Sequence, residues 1–307
     1  MKIAVIGVGA MGSLFAARLA NENNDVSLIE VSEAMIEAIR RDGLRMTGLF
    51  GEKTYHLPVG PAERYAEAFE LLIVFTKGMH TKSAMKAVQH TIGPDTCVLT
   101  VQNGIGNVEA IEPFVARDRI IMGMTNWPST LIEPGLIKVP GEGEIKIWAA
   151  NGQGSDKLEG INRLLDEAGL HCALDPDVEV AIWEKLAFNS ALNSLAAITG
   201  LTVGEMSDRQ ESRAIVFTIV DEVVSVARVK GLAVDASHIR EAVEYAFANH
   251  RQHKPSMLQD RLAGRRMEID TITGAVSKAG ASLGIATPVT TTFAKLLTIV
   301  DGEVQHV

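Results

Sequence analysis

Three polar side chains recur every four residues in a segment that predicts a helix, and their types suit chemistry. Lys185, Asn189 and Asn193 lie within residues 182–195. Four residues make one helical turn plus about 40°, so the three side chains share one face. A solvent-exposed face usually carries Glu, Lys, Gln or Arg, because Asn is a poor helix former. The pattern favours a recognition face, and a moderately polar surface face is the alternative.

A second polar group lies between His253 and Gly274. Ser256 follows Pro255 at a predicted helix start, where capping the helix is its ordinary role. Glu268, further along, is either part of this polar group or only a surface carboxylate. The residue types alone leave both assignments open.

A glycine motif stands between a predicted strand, residues 2–6, and a predicted helix, residues 13–20. The connection between them reads Gly7, Val8, Gly9, Ala10, Met11, Gly12. In this GxGxxG context the first glycine permits a tight turn, the second lets the backbone approach a pyrophosphate, and the third lets the helix pack on the strand. The helix N-terminus stabilises the anion. The motif predicts a dinucleotide site, and a glycine turn without a ligand is the alternative.

Glu30 ends the second predicted strand, 18 residues after Gly12. Dinucleotide folds place an acid here to accept hydrogen bonds from the adenosine ribose. A carboxylate also repels a 2′-phosphate, and no Arg follows directly to pair with one. The local chemistry favours NADH, unless Glu30 is a solvated strand end or Arg40 or Arg41 swings in.

Lys77 and Asn103 follow two further predicted strands. Ligands of open parallel sheets lie outside the carboxyl ends of the strands, so both residues are candidates to contact the cofactor or a substrate beside it. Alternatively, Lys77 is a solvated lysine, and Asn103, which precedes Gly104, is an ordinary turn residue.

The elements that would position these residues alternate between strand and helix in the first half, which predicts an α/β domain with a mainly parallel sheet. Short segments in residues 130–149 predict antiparallel strands at one edge. The strand candidates are Lys2 to Ile6, Val26 to Glu30, Leu71 to Phe75, Cys97 to Val101 and Arg119 to Met124.

The second half shows long apolar periodicity near 3.6 and predicts an all-α domain. Pro176 disfavours helix before it, and the acidic residues around it suit a helix start. The sequence therefore predicts a Rossmann-type dinucleotide-binding domain over residues 1–174 and a helical substrate and catalytic domain over residues 175–307.

Composition narrows the partners. The chain has 307 residues, a net charge of −9 and two cysteines, with a pI near 5.4. We expect no nucleic-acid or membrane partner, no metal site and no disulfide framework, because basic clusters, long apolar spans and cysteine patterns are missing from the sequence. The first residues already form a strand rather than a leader, which favours the cytoplasm.

The ordered motifs together resemble the ketopantoate reductase (2-dehydropantoate 2-reductase) family over nearly the full chain. The segments that carry the resemblance are Gly7 to Gly12, Thr76-Lys77, Gln102-Asn103-Gly104, Trp183 to Asn193, Pro255 to Asp260 and Glu268 to Asp270. The resemblance implies NAD(P)H-dependent reduction of a 2-oxo acid, ketopantoate, to pantoate in pantothenate biosynthesis. Family members using NADPH are expected to carry a basic residue near Glu30 and Val31, which this chain lacks.

The resemblance also implies residue roles. Lys185 matches the catalytic lysine, Asn189 and Asn193 match substrate-binding asparagines, and Ser256 matches the hydroxyl that holds the substrate carboxylate.

Glu268 matches the acidic partner of the lysine, close to the cofactor, and Lys77 and Asn103 match residues that help hold cofactor and substrate. Lys185 would protonate the carbonyl oxygen as hydride arrives, with Glu268 keeping it charged.

Other functions remain open. The nearest alternative is an NAD-dependent 2-hydroxyacid dehydrogenase of the same family acting on a branched or bulky 2-oxo acid. A non-catalytic dinucleotide sensor would have no reason to carry the polar residues, and a phosphorylated substrate would need a basic cluster. Helical second domains often dimerise, so a homodimer through this domain is a further expectation.

Overall fold

A computed structural model describes residues 1–21 and 23–303. The chain forms two compact units: unit 1 comprises Met1–Gln102 and Asn107–Val178, and unit 2 comprises Asn103–Gly106 and the chain from Glu179 onward. The sequence placed the division after residue 174, in the connection that follows a strand at Cys172–Leu174. The structure differs in dividing after Val178 and in giving the short segment 103–106 to unit 2.

Twelve strands lie in the described part of unit 1. They are β1 (Lys2–Ile6), β2 (Asp25–Ile29), β3 (Leu44–Gly48), β4 (Lys53–Tyr55), β5 (Val59–Gly60), β6 (Phe69–Val74), β7 (Ile92–Thr100), β8 (Ile120–Thr125), β9 (Thr130–Glu133), β10 (Leu136–Val139), β11 (Ile145–Ala149) and β12 (Cys172–Leu174).

The helices of unit 1 connect these strands. They are α1 (Ala10–Leu19), α2 (Glu33–Asp42), α3 (Thr81–Val88), α4 (Asn107–Ile111) and α5 (Asp156–Glu167).

The main sheet has the order β12-β11-β8-β7-β6-β1-β2-β5. It is parallel except that β11 runs antiparallel to β8, so the predicted mixed, mainly parallel sheet is confirmed. The chain order reverses around β1, which lies between β2 and β6. Such a switch point opens a crevice at the carboxyl ends of the strands, where ligands of this architecture bind.

The strand register aligns the carboxyl ends at that crevice. Ile6 of β1 pairs with Ile29 of β2 and with Val74 of β6, and Val74 pairs with Thr100 of β7. The residues that follow these four therefore emerge along one edge of the sheet.

The five predicted strands are all present, with bounds shifted by a few residues at most ends. The segment at 130–149 is split between two sheets. Only β11 joins the main sheet, whereas β9 and β10 form a second sheet in the order β4-β3-β10-β9. The prediction missed β3 and β4 because they are short and half-exposed, without a continuous apolar run.

Apolar residues on both faces of the main sheet explain its continuous apolar strands. In β1, Ile3 and Val5 pack into one buried cluster, while Ala4 and Ile6 pack into another on the opposite face. Side chains alternate along a strand, so a strand covered on both faces is apolar at every position.

All the regular secondary structure in the described part of unit 2 is helical, as predicted. Its helices are α6 (Val178–Thr199, which begins on the last residue of unit 1), α7 (Val203–Ser207), α8 (Gln210–Val229), α9 (Ala236–Asn249), α10 (Ser256–Leu262), α11 (Thr273–Leu283) and α12 (Pro288–Glu303). Trp183, Leu186 and Leu195 of α6 share a buried cluster with Val216 and Val220 of α8. The apolar face of α6 is therefore fixed in the core, which orients its polar residues.

None of the helices in the described chain is long and apolar enough to cross a membrane. Within the same residues, no group of His, Cys, Asp and Glu side chains is arranged to hold a metal ion.

Candidate active site

The glycine loop after β1 is shaped by close backbone contacts. Gly7 has a φ of +89°, and a Cβ there would lie 2.7 Å from the amide nitrogen of Thr76. A Cβ on Gly12 would lie 2.0 Å from the Gly7 carbonyl oxygen. Both positions therefore require glycine, one for its backbone angle and contact, the other for helix packing.

Gly9 has a different environment. No described atom outside its immediate neighbours lies within 4 Å of the position that its Cβ would take. The residue is the N-cap of α1, where no side-chain cap hydrogen bond forms among the described residues, and the first turn carries no acidic residue. The N–H groups and the positive end of this helix suit an anion. The open space at Gly9 therefore fits the pyrophosphate of a dinucleotide.

Glu30 follows β2 and contacts the glycine loop directly. One carboxylate oxygen accepts the backbone N–H of Val8 at 2.8 Å, and the other accepts those of Val31 at 2.8 Å and Ser32 at 3.0 Å. The carboxylate thus lies beside the loop, where a ribose would be bound, rather than at an isolated strand end.

The two arginines that could have offset this carboxylate are held elsewhere. Arg40 donates to the carbonyl oxygen of Val59 at 3.1 and 3.3 Å. Arg41 forms an ion pair with Asp42 at 2.7 Å. In this conformation neither guanidinium pairs with Glu30, and both are already bonded.

Lys77 and Gln102 follow the ends of β6 and β7. Lys77 is partly buried, and the carbonyl oxygen of Thr76 before it accepts the Gln102 side-chain amide. Lys77 is therefore positioned at the sheet edge that carries the glycine loop. Gln102 has no role predicted from the sequence, since a lone amide carries no spacing signal.

Asn103 belongs to unit 2 although it follows a strand of unit 1. Ile105, two residues further along, donates its N–H to the carbonyl oxygen of Thr271 at 2.9 Å. A Cβ on Gly104, whose φ is +84°, would lie 2.0 Å from the same oxygen. Thr271 in turn belongs to the segment of Glu268, because Ile272 donates its N–H to the Glu268 carbonyl oxygen. Asn103 and Glu268 thus lie on two backbone segments that are joined by a hydrogen bond.

Lys185 and Glu268 act on each other electrostatically. Burial lowers the pKa of Lys185 to about 8, against the opposing effect of the Glu268 carboxylate, which raises it. Burial disfavours the ammonium form, and a nearby negative charge restores part of it. A lysine whose pKa lies this close to neutral pH can give up and regain a proton during turnover.

Asn193 and Ser256 are joined by a hydrogen bond. The Ser256 hydroxyl donates to Asn193 Oδ1 at 3.1 Å, and the N–H of Met257 donates to the same oxygen at 3.0 Å. Asn193 therefore caps α10 from α6 and is only 4% exposed. Ser256 is not an N-cap: the cap position is Pro255, so that alternative is wrong.

Asn189 lies on α6 one turn from Lys185 and one turn from Asn193, and it is partly buried. The structure thus links Lys185 to Glu268 and Asn193 to Ser256, with Asn189 between them on the same helix face. Unit 2 carries this polar group together with Asn103.

Asp301 of α12 is a supporting residue that sequence reasoning missed. Its carboxylate accepts the N–H of Met267 at 2.8 Å and the Arg266 side chain at 3.3 Å. It is almost fully buried, and it fixes the backbone immediately before Glu268. An acid near the end of the chain gives no sequence signal for such a contact.

Comparisons with known protein families match both parts of the chain. The family described as Ketopantoate reductase PanE/ApbA matches residues 3–152, and its C-terminal counterpart matches residues 177–301. A 2-dehydropantoate 2-reductase of Streptococcus pyogenes serotype M3 is 34% identical over 290 residues, which cover 94% of each chain.

Solved structures agree in fold. A ternary structure of D-mandelate dehydrogenase with NADH and anilino(oxo)acetate has a TM-score of 0.93 and 31% identity, covering 99% of this chain and 100% of that one. A 2-dehydropantoate 2-reductase of Geobacter metallireducens GS-15 has a TM-score of 0.91 and 30% identity, covering 97% and 99%.

Proposed function

The chain belongs to the Ketopantoate reductase PanE/ApbA family, and from this premise we propose that it reduces a 2-oxo acid to a 2-hydroxy acid with a nicotinamide dinucleotide. The relatives named 2-dehydropantoate 2-reductase support 2-dehydropantoate (ketopantoate) as the substrate, and its product would be pantoate. The observation that carries the proposal is Lys185, a partly buried lysine whose pKa is lowered to about 8 and which interacts with Glu268.

The glycine loop fits the dinucleotide. The open space beside Gly9 and the uncapped N-terminus of α1 would take the pyrophosphate, and Glu30 would accept the ribose hydroxyls. Lys77 and Asn103 would hold the nicotinamide half. When bound, the reduced cofactor supplies the hydride.

Lys185 supplies the proton in this proposal. Its ammonium hydrogen-bonds the carbonyl oxygen of the substrate, stabilises the negative charge that develops there and transfers the proton to it. Glu268 keeps the ammonium charged in surroundings that disfavour charge.

The remaining polar residues orient the substrate. Asn189 and Ser256 would hold its hydroxyl and carboxylate groups, as would Asn103. Asn193 was predicted to bind substrate as well. Its carbonyl oxygen already accepts from Ser256 and Met257, so its oxygen supports Ser256 and only its amide NH₂ would be offered to substrate.

A second candidate is NADH-dependent reduction of a bulkier 2-oxo acid. Two observations favour it: the Glu30 carboxylate lies beside the glycine loop, where it would repel a 2′-phosphate, and a structural neighbour is a D-mandelate dehydrogenase bound to NADH. On either candidate we propose NADH over NADPH, because Arg40 and Arg41 are both engaged away from Glu30.

Initial rates of NADH and NADPH oxidation test the proposal, measured with ketopantoate and, separately, with the 2-oxo acid corresponding to mandelate. We expect turnover with NADH, and faster turnover of ketopantoate would support the first candidate. Faster turnover of the aromatic acid would support the second. Dinucleotide binding without turnover of any 2-oxo acid would contradict both and support a dinucleotide sensor.

We also retain a homodimer formed through unit 2, and a cytoplasmic location, as proposals. Sedimentation velocity of the purified protein tests the first, and a species with the mass of one chain would contradict it. Fractionation of the source cells tests the second.

A further inference from the structure

The segment 103–106, which carries Asn103, is flanked by two polar side chains that point to the same hydroxyl. Gln102 precedes the segment and Asn107 follows it, and both flanking residues belong to unit 1. Gln102 donates its side-chain amide to Thr81 Oγ1 at 2.9 Å. Thr81 Oγ1 in turn donates to Asn107 Oδ1 at 3.4 Å. One hydroxyl therefore holds both ends of the segment.

Gln102 extends this network to the neighbouring strands. Its side-chain carbonyl accepts the hydroxyl of Thr100 at 2.9 Å, and its amide also donates to the carbonyl oxygen of Thr76, next to Lys77. The amide thus connects the ends of β6 and β7 with the start of α3.

Three of the residues that bond within the network are shielded from water, while Gln102 itself is partly buried. Thr81 is 0% exposed, Thr100 is 3% exposed and Asn107 is 6% exposed. A buried hydrogen bond is costly to lose, because the partner left behind remains unpaired without water to replace the missing group.

The segment itself needs external restraint. Two of its four residues are glycines with positive φ, Gly104 at +84° and Gly106 at +93°, and glycine is the residue with the greatest backbone freedom. Fixing both ends lowers the number of conformations that Asn103 can adopt.

We propose that Thr81 and Gln102 are positioning residues that hold Asn103 and Lys77 in their binding geometry through one shared hydroxyl. The inference rests on the proposed function for the ligands that these two residues contact. The hydrogen bonds that carry it lie within unit 1 and do not depend on which 2-oxo acid is the substrate.

The test compares three single variants. Thr81→Val removes the hydroxyl and keeps the side-chain shape, and Thr81→Ser keeps the hydroxyl and is the rescue variant. Thr91→Val is the matched control, because Thr91 is equally buried and its hydroxyl donates to the Val88 carbonyl oxygen, away from the segment. Thermal melting of each variant reports the common cost of losing a buried hydroxyl.

We expect Thr81→Val to raise KM for both the 2-oxo acid and NADH about tenfold, since a lost buried hydrogen bond has effects of this order. The change in kcat should be smaller, Thr81→Ser should stay close to the unmodified protein, and Thr91→Val should leave both KM values unchanged. A Thr81→Val protein with the kinetics of Thr91→Val would overturn the proposal.

Hydrogen exchange separates this inference from the proposed function. Peptides that span residues 100–108 should exchange faster in Thr81→Val than in Thr91→Val. If the unmodified protein reduces no 2-oxo acid, the proposed function fails while faster exchange still supports the positioning role. Equal exchange in the two variants overturns it whatever the substrate.

Discussion

In the proposed function, the glycine loop of unit 1 offers backbone groups to the dinucleotide, whereas the polar face of α6 in unit 2 offers side chains to the substrate. In the loop, the features that matter are the close contacts of Gly7 and Gly12 and the empty space beside Gly9. On α6, they are Lys185, whose pKa is shifted, and an asparagine that supports Ser256. A backbone site binds any ligand with the right anionic group, while a side-chain site selects the substrate and moves its proton.

The difference predicts which property a substitution in each region should impair. Removing a functional group from α6 should abolish chemistry and spare dinucleotide binding. Adding one carbon to the glycine loop should weaken dinucleotide binding and spare the chemical step once dinucleotide is bound.

Lys185→Met should have the largest effect. The substitution keeps much of the side-chain volume and removes the proton donor, so we expect kcat to fall about 10³-fold, in the range that general acid catalysis contributes. The dissociation constant of NADH, measured by fluorescence titration, should change little.

The matched control is Lys278→Met, also in unit 2, where the lysine pairs with Asp270 at an exposed position. It should retain normal kcat. Wild-type turnover in Lys185→Met, or an equal loss in Lys278→Met, would contradict the role of Lys185.

Gly9→Ala should have the next largest effect. The new methyl group meets no described atom, so the melting temperature should shift by only a few degrees. The methyl would occupy space assigned to the pyrophosphate, and steric overlap of this kind costs about 1–3 kcal/mol, which is roughly a 5- to 150-fold loss of NADH affinity.

Gly141→Ala is the control, since Gly141 is also surrounded by open space. It should bind NADH normally. Unchanged NADH affinity in Gly9→Ala would show that the dinucleotide does not lie against this glycine.

Glu30→Gln should have the smallest effect and sharpens the comparison inside unit 1. The carboxamide is neutral and no longer repels a 2′-phosphate, so the ratio of kcat/KM for NADH to that for NADPH should fall about tenfold, the size of one favourable charge contact.

Glu33→Gln, an exposed neighbour at the start of α2, should leave the ratio unchanged. A ratio that stays constant in Glu30→Gln would remove Glu30 from cofactor selection.

The sequence predicted the fold where patterns are local. The glycine motif, the strands of the parallel core and the helical second unit follow from apolar periodicity and glycine spacing, and the structure contains them. The second sheet was not predicted, because it forms when β10 pairs with the distant strand β3, and the exposed residues of β9 carry no distinctive pattern.

The candidate site could be predicted in its proposed ligand-binding residues and not in the residues that support them. Lys185, Asn189 and Asn193 share a helix face that four-residue spacing reveals. The contacts of Thr81 with Gln102 and of Asp301 with Met267 join residues far apart in the chain. Ordinary polar residues make these contacts, so the amino-acid sequence alone gives no signal for them.

The assignment of the segment 103–106 to unit 2 also could not be predicted from the sequence. Gly104 fits against the Thr271 carbonyl oxygen only because it has no Cβ. From sequence, Asn103 and Gly104 look like an ordinary turn after β7.

The pH dependence of kcat/KM for reduction, in the unmodified protein and in Glu268→Gln, tests most directly whether Lys185 donates the proton. The reaction needs the ammonium form, so activity should be constant at low pH and decline as pH rises through about 8, the pKa of Lys185. Because the Glu268 carboxylate raises this pKa, its removal should move the decline to lower pH. A profile that stays flat to about pH 10, where an ordinary exposed lysine begins to lose its proton, or a decline that Glu268→Gln leaves in place, would contradict the account.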